Sequence, residues 1–273
     1  MLALWQKAFR DARLLWLCLA AALFGFNWLF VALTSLIKLG ALGLFLQSLP
    51  KSFEDLAGMP LSAMATTLGH VAMVYVHPVV TLCTLTWAVA RGSDAVSGEI
   101  GRGTMEMLLA QPVRRSAIVL VSAAVTMVGA AGLAAGCWLG DAVGIATTEL
   151  ETPIEPARLL PGALNLFAYT VFVAAIATLA SACDSQRWRT IGVVGAFYVL
   201  ELILKVTSQM APRLRWLRWF SFLTWFEPHA LIVDSNHGWS TALHHSAWLL
   251  GLAAVAYAAA VAIFCRRDLP APL

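Results

Sequence analysis

The stretch "LLWLCLAAALFGFNWLFVALTSLI", residues 14–37, carries no charged side chain over its whole length. A helix needs about 20 mostly apolar residues to cross the hydrocarbon core of a bilayer. Similar apolar runs follow near 68–90, 116–140, 162–183, 190–211 and 246–265. Because backbone polar groups in hydrocarbon must be satisfied within their own segment, each run is expected to be a helix. The sequence therefore predicts an all-α integral membrane protein with six transmembrane helices.

The composition agrees with a protein whose solvent is lipid. Of the 273 residues, 60 % are hydrophobic and only 12 % are charged, whereas a soluble domain carries about 25 % charged residues. The mean hydropathy is +0.78. No stretch is long and polar enough for a separate soluble domain, so residues 1–273 are predicted to form a single transmembrane domain.

The distribution of lysine and arginine predicts the orientation, because cytoplasmic loops carry an excess of both. With six spans, the side that holds both termini has eleven of these residues and the other side has seven. Both termini are therefore expected in the cytoplasm, in a multi-pass protein of the inner (cytoplasmic) membrane. The net charge of +3 then reflects this topology, and no nucleic-acid partner is expected.

Residues 93–112 form the most polar stretch between two apolar runs. Read as a helix, they place Glu99, Arg102 and Glu106 at i, i+3 and i+7, on one face. Pro112 is expected to end that helix. The prediction is an amphipathic cytoplasmic helix between spans two and three.

Three glycines make this predicted helix weak on its own. Gly98, Gly101 and Gly103 each cost about 1 kcal/mol relative to alanine inside a helix. The helix should therefore need support from headgroups or from a protein partner. The plainer alternative is a solvated helix whose charges only keep it out of lipid.

The stretch "DAVSGEIGRGTMEMLLAQPVRRSAIVL" (94–120) resembles the cytoplasmic segment of permease subunits in the type-2 exporter superfamily of ATP-binding-cassette (ABC) transporters. The matching residues are Val96, Ser97, Gly98, Glu99, Gly103, Thr104, Met105, Glu106, Leu108, Leu109, Pro112, Val113 and Arg115. The basic start "WQKAFRDARL" and the ending "FCRRDLP" (264–270) are similar to the corresponding parts of many members. The resemblance thus covers the start, the middle and the end of the chain.

This resemblance implies that 93–112 is a coupling helix, which docks on a separate ATPase subunit. Glu99 would be the main polar contact, with Arg102 and Glu106 beside it. Gly98 would allow close approach, and Thr104 belongs to the same motif. Ion pairs across such an interface would set partner specificity.

The family also implies that this chain is not an enzyme and holds no cofactor. The sequence has no G-x-x-x-x-G-K-(S/T) loop for ATP, so ATP and magnesium would bind to the partner ATPase. Two permease copies, identical or related, would form the pathway in the bilayer. The alternatives are a transporter that works without a partner and a membrane assembly or scaffold protein. The sequence does not select a substrate.

Three further segments carry expectations. Residues 1–13 are predicted to be a basic amphipathic helix on the cytoplasmic surface, and tryptophan-rich residues 212–245 to form short helices at the outer leaflet. Glu201 and Lys205, at i and i+4 in the fifth apolar run, can pair with one another. That pair is a candidate for the pathway or a gate, or else a structural pair near the outer boundary. No spacing of histidine or cysteine indicates a metal site.

Overall fold

The six predicted spans are confirmed in a computed structural model, which describes residues 2–37, 39–50, 53–54 and 59–267. All regular secondary structure in these residues is helical. The helices long and apolar enough to cross a membrane are Leu2–Thr34, Thr67–Gly101, Arg115–Thr147, Pro156–Cys183, Arg187–Met210 and Gly238–Arg266, here called spans one to six. Lys38 and Lys51 of the charge count and Asp268 of the C-terminal motif lie outside the described residues.

The spans are longer than the apolar runs that predict them. Span one is one helix from Leu2, so residues 2–13 are its first turns and not a separate amphipathic helix. Span six begins at Gly238, whereas the apolar run begins at 246. Hydropathy marks only the part of a helix that suits hydrocarbon. The helix itself can continue beyond that part, into the headgroup region.

Shorter helices fill the connections. The described ones are Leu39–Gln47, Leu61–Met64, Met105–Leu109 and Pro228–Val233, with 3₁₀ helices at Pro212–Phe220 and Phe222–Trp225. Short helices are thus present within 212–245 as predicted, but residues 238–245 belong to span six. Phe222, Leu223 and Phe226 are buried, so this segment packs into the bundle.

Span two changes its helical form along its length. An α-helix at Thr67–Ala72 passes through a 3₁₀ turn into a second α-helix, Pro78–Ser93. Proline at that point has no N–H to donate and prevents one continuous helix. Its C-terminal end is a π-helical turn, Asp94–Gly98, followed by Glu99–Gly101. The span is therefore bent near both ends.

Span four lies at the centre of the bundle. Of its most apolar window, 72 % is buried, against 17 % in spans one and five. It contacts spans two, three, five and six. Because lipid is as apolar as the bundle interior, this packing depends on close fit more than on hydrophobicity.

Span one lies along span three against a row of glycines. Gly132, Gly136, Gly140 and Gly144 follow one another at four-residue spacing on span three, and so share one face. A Cβ at Gly140 would come within 2.5 Å of the Phe24 carbonyl oxygen. Only glycine permits this approach, as in other small-residue helix contacts in membranes.

Candidate functional site

The polar segment between spans two and three is not one helix. The π turn and Glu99–Gly101 continue span two, and a separate helix follows at Met105–Leu109. Gly103 has φ = +68°, in the left-handed region that glycine adopts at little cost. The predicted helix over 93–112 is therefore corrected to two pieces joined by a glycine turn. The second piece ends before Pro112, as expected.

The π turn is fixed to span four by one hydroxyl group. The Oγ atom of Ser181 accepts hydrogen bonds from the N–H groups of Val96 (3.2 Å) and Ser97 (2.8 Å). It also donates to the Ser93 carbonyl at 3.0 Å. A wide turn leaves backbone groups without their usual partners, and a π turn often marks a functional site. Here a neighbouring span satisfies those groups.

Glu99 is the centre of a buried ionic cluster. Its carboxylate accepts hydrogen bonds from Lys7 of span one, from the Thr104 hydroxyl and from Arg102 (3.0 Å). The Glu99 side chain is only 7 % exposed. Glu99 thus faces into the chain, while Glu106 is exposed, so the two do not share a face as the helical wheel predicts. The turn at Gly103 separates their orientations.

Asp94 extends this cluster toward span five. Arg102 donates to Asp94 from both guanidinium nitrogens, at 2.6 and 3.2 Å, and this bond raises the pKa of Arg102. Arg187 lies 3.3 Å from the same carboxylate. Gly98 is buried, and a Cβ there would be 2.4 Å from Asp94 Oδ1. Gly98 therefore accommodates a side chain of its own segment and is not on an exposed surface.

The helix Met105–Leu109 has one anchored face and one exposed face. Met105 and Leu108 are buried in a small apolar cluster with residues of spans two, three, four and six. Glu106 points away from that cluster, and Met107 is 64 % exposed. Within the described residues, the Glu106 side chain makes no hydrogen bond or ion pair. This face therefore presents an exposed methionine beside a carboxylate that has no partner among the described residues.

Near the other end of the bundle, Glu201 and Lys205 do not form the predicted pair. Glu201 accepts from the Phe222 N–H at 3.0 Å. Lys205 donates to the carbonyls of Leu223 (2.8 Å) and Phe226 (3.2 Å). Both side chains therefore hold the segment after span five against the bundle. Their role at a pathway or gate stays a prediction.

The ionic partner of Lys205 is Glu227, at 3.7 Å. Burial raises the pKa of the Glu227 carboxyl, and the nearby ammonium opposes that rise. Asn165 of span four binds the same segment through the Trp225 carbonyl (2.9 Å) and the Glu227 N–H (3.2 Å). The sequence analysis missed Asn165, although a buried amide inside an apolar run is itself a signal of a specific contact.

Two histidines in the first turns of span six, His244 and His245, are packed among aromatic rings. The centroids of His244 and His245 lie 5.7 and 5.2 Å from that of Trp225. The Trp248 N–H donates to His244 Nε2 at 3.2 Å. Among the described residues, no three histidine, cysteine or acidic side chains are grouped as metal ligands.

Comparison with known proteins supports one family. The profile of the family described as "ABC-2 family transporter protein" matches residues 3–269, which includes all six spans and the polar segment. A search of curated proteins gave no match. Since the family match covers almost the whole chain, this protein is a multi-pass membrane transport component and belongs to the ABC-2 family of transporter proteins.

Proposed function

We propose that this chain is the transmembrane subunit of an ATP-driven exporter, with ATP and magnesium bound by a separate cassette ATPase. The ATPase docks on the exposed face of Met105–Leu109, centred on Glu106 and Met107. The observation that carries this proposal is the contrast between the two faces of that helix. One face is fixed in the core, and the other offers an apolar side chain and a free charge.

This proposal changes the expected role of Glu99. Because its carboxylate is buried and already bonded to Lys7, Arg102 and Thr104, it joins the docking helix to span one. Glu106 takes the direct contact that the resemblance assigns to Glu99. Arg102, whose side chain is 43 % exposed, lies between the buried cluster and the docking surface.

The segment is also joined to three other spans. Its first piece continues span two as far as Gly101, Ser181 ties that piece to span four, and Arg187 ties it to span five. Movement of the docked ATPase would therefore reach four spans through specific bonds. These bonds support the proposed coupling role, and the proposed export direction rests on the family resemblance alone.

A second permease copy would complete the pathway along span five. Only 17 % of the most apolar window of span five is buried, and its exposed side includes Val193 and Ile203. A homodimer or a heterodimer would cover this surface. A cysteine at position 193 in a chain without its native cysteines should form a disulfide-linked dimer in membranes if the copies are identical.

Co-purification tests the ATPase contact. The tagged full chain is expressed with the cassette ATPase of the neighbouring reading frame, and the retained ATPase is measured. Met107→Lys and Glu106→Arg should each reduce retention about tenfold, as expected for the loss of a central interface contact. Glu151→Arg, an exposed charge in the loop after span three, is the matched control and should change nothing.

Two results would contradict this proposal. One is a wild-type chain that retains no ATPase, which would favour a partner-independent transporter or a scaffold. The other is full retention by both docking variants. Labelling of single cysteines at positions 106 and 151 from opposite sides of the membrane tests the cytoplasmic placement of both termini, because the six-span topology puts these positions on opposite sides.

A further inference from the structure

A groove of about 920 Å³ runs along the N-terminal half of span one, between it and spans two and three. One of its walls is an apolar stripe of span one. Trp5, Phe9, Ala12 and Trp16 follow at i, i+4, i+7 and i+11, and so project on the same side. Lys7 and Asp11 lie on a different side of the helix, toward the Glu99 cluster.

Two tryptophans, one from span one and one from span two, are bonded to span three at the floor of the groove. Trp16 donates to the Gly129 carbonyl at 3.0 Å, and Trp87 donates to the Thr126 carbonyl at 3.1 Å. A Cβ at Gly129 would lie 2.1 Å from a ring carbon of Trp87, so the glycine lets the ring lie flat. With both indole N–H groups bonded, the surface presented to the groove is apolar.

A row of polar side chains lines the edge of this apolar surface. Gln6, Arg10 and Arg13, at i, i+4 and i+7, are all exposed and all border the groove. Within the described residues, neither arginine makes a hydrogen bond or an ion pair. Unpaired arginines next to an apolar groove at the end of a span suit an anion whose remainder is apolar.

We infer that the groove binds an anionic phospholipid of the leaflet that the N-terminus faces. The phosphate accepts from Arg10 and Arg13, and one acyl chain lies over Phe9 and Trp16, which line the groove. The Gln6 amide contacts the headgroup. Charge complementarity favours this occupant: a second copy that met the groove with its own span one would bring another cationic stripe, whereas an anionic lipid neutralises both arginines. This inference concerns a lipid site and is independent of ATPase docking.

Native mass spectrometry of the full chain in detergent tests this inference. Dioleoyl-phosphatidylglycerol and dioleoyl-phosphatidylcholine are added separately, and the first bound lipid is quantified. The wild-type chain should prefer the anionic lipid about thirtyfold, as two cationic contacts of about 1 kcal/mol each predict. R10Q/R13Q should abolish that preference. Val128→Trp should weaken the binding of both lipids, because Val128 lines the groove and is 60 % exposed.

Matched controls distinguish changes in the groove from a general loss of positive charge or a general increase in side-chain size. R114Q/R266Q removes two other exposed arginines, and Val255→Trp enlarges a residue on span six that is 68 % exposed. Both should retain the wild-type preference. Equal binding of the two lipids by the wild-type chain would overturn the site. So would a loss of the anionic preference in R114Q/R266Q as large as that in R10Q/R13Q. A wild-type dimer that Val128→Trp disrupts would assign the groove to a second copy and also overturn it.

Discussion

Replacing Glu99 by glutamine should loosen the attachment of span one to the polar segment. The side chain is 7 % exposed and accepts hydrogen bonds from Lys7, Arg102 and Thr104. Removing one partner of a fully buried ion pair costs about 3–5 kcal/mol. Here the donors remain partly solvated, with Lys7 and Arg102 exposed by 36 % and 43 %, and solvent screens their charges.

Both donors also keep a second carboxylate, because Lys7 pairs with Asp11 at 3.1 Å and Arg102 with Asp94 at 2.6 Å. The expected loss in the free energy of unfolding is therefore about 2 kcal/mol. For a chain of this size that corresponds to a melting midpoint about 4–8 °C lower. The eleven tryptophans make intrinsic fluorescence in detergent a suitable readout.

A double-mutant cycle shows whether the Lys7–Glu99 contact causes this loss. Lys7→Met and Glu99→Gln should be non-additive by about 1 kcal/mol, since contacting residues couple in this way. Glu106→Gln, which alters an exposed carboxylate without a partner in the described residues, should shift the midpoint by less than about 1 °C. A Glu99→Gln midpoint equal to that of Glu106→Gln, or full additivity in the cycle, would refute the reasoning.

Three other substitutions test the packing. Lys205→Met removes donors to two backbone carbonyls, so hydrogen exchange of 212–227 should accelerate about tenfold or more. Ser181→Ala leaves the π turn unsatisfied and should lower the free energy of unfolding by about 1–3 kcal/mol, measured as a lower melting midpoint. Gly129→Val forces a side chain into the Trp87 ring. This overpacking should lower the free energy of unfolding by about 1–3 kcal/mol or more, again measured as a lower melting midpoint.

Controls and opposing outcomes accompany these three substitutions. Gly251→Val, at a span-six glycine with open space around it, should leave the melting midpoint almost unchanged, and equal shifts in the two glycine variants would contradict the close-packing argument. Ser240→Ala, at an exposed serine that donates only to its own helix, is the control for Ser181. Unchanged exchange in Lys205→Met would mean that the aromatic contacts alone hold the segment.

The sequence predicts the six spans well because hydropathy measures what the bilayer itself selects. It also places the polar segment between the correct spans and identifies the family, which the family match confirms. The ends of the helices are less accessible to prediction. Span one extends back to Leu2 because the helix predicted over 1–13 continues into the first apolar run, and the charges that end the apolar run do not end the helix.

Side-chain partners were the part that sequence spacing could not predict. A helical wheel shows that Glu99, Arg102 and Glu106 could share a face, but it cannot show that Lys7 of another span covers Glu99. Similarly, i, i+4 spacing makes a Glu201–Lys205 pair possible, while the fold supplies Lys205 with Glu227 instead. The glycine row of span three was visible in the sequence at four-residue spacing, and it would have predicted the close contact with span one.

That glycine row also determines how stiff the bundle is. Span three has 33 residues, about 50 Å of helix, and span one is held against it along most of that length. Two helices in such contact tilt as one rod. A rotation of about 5° at the end near Lys7 would move the opposite end sideways by about 4 Å. A small rotation at the end where a partner binds would thus become a sideways movement of about 4 Å at the opposite end of the two helices. That movement is larger than a water molecule.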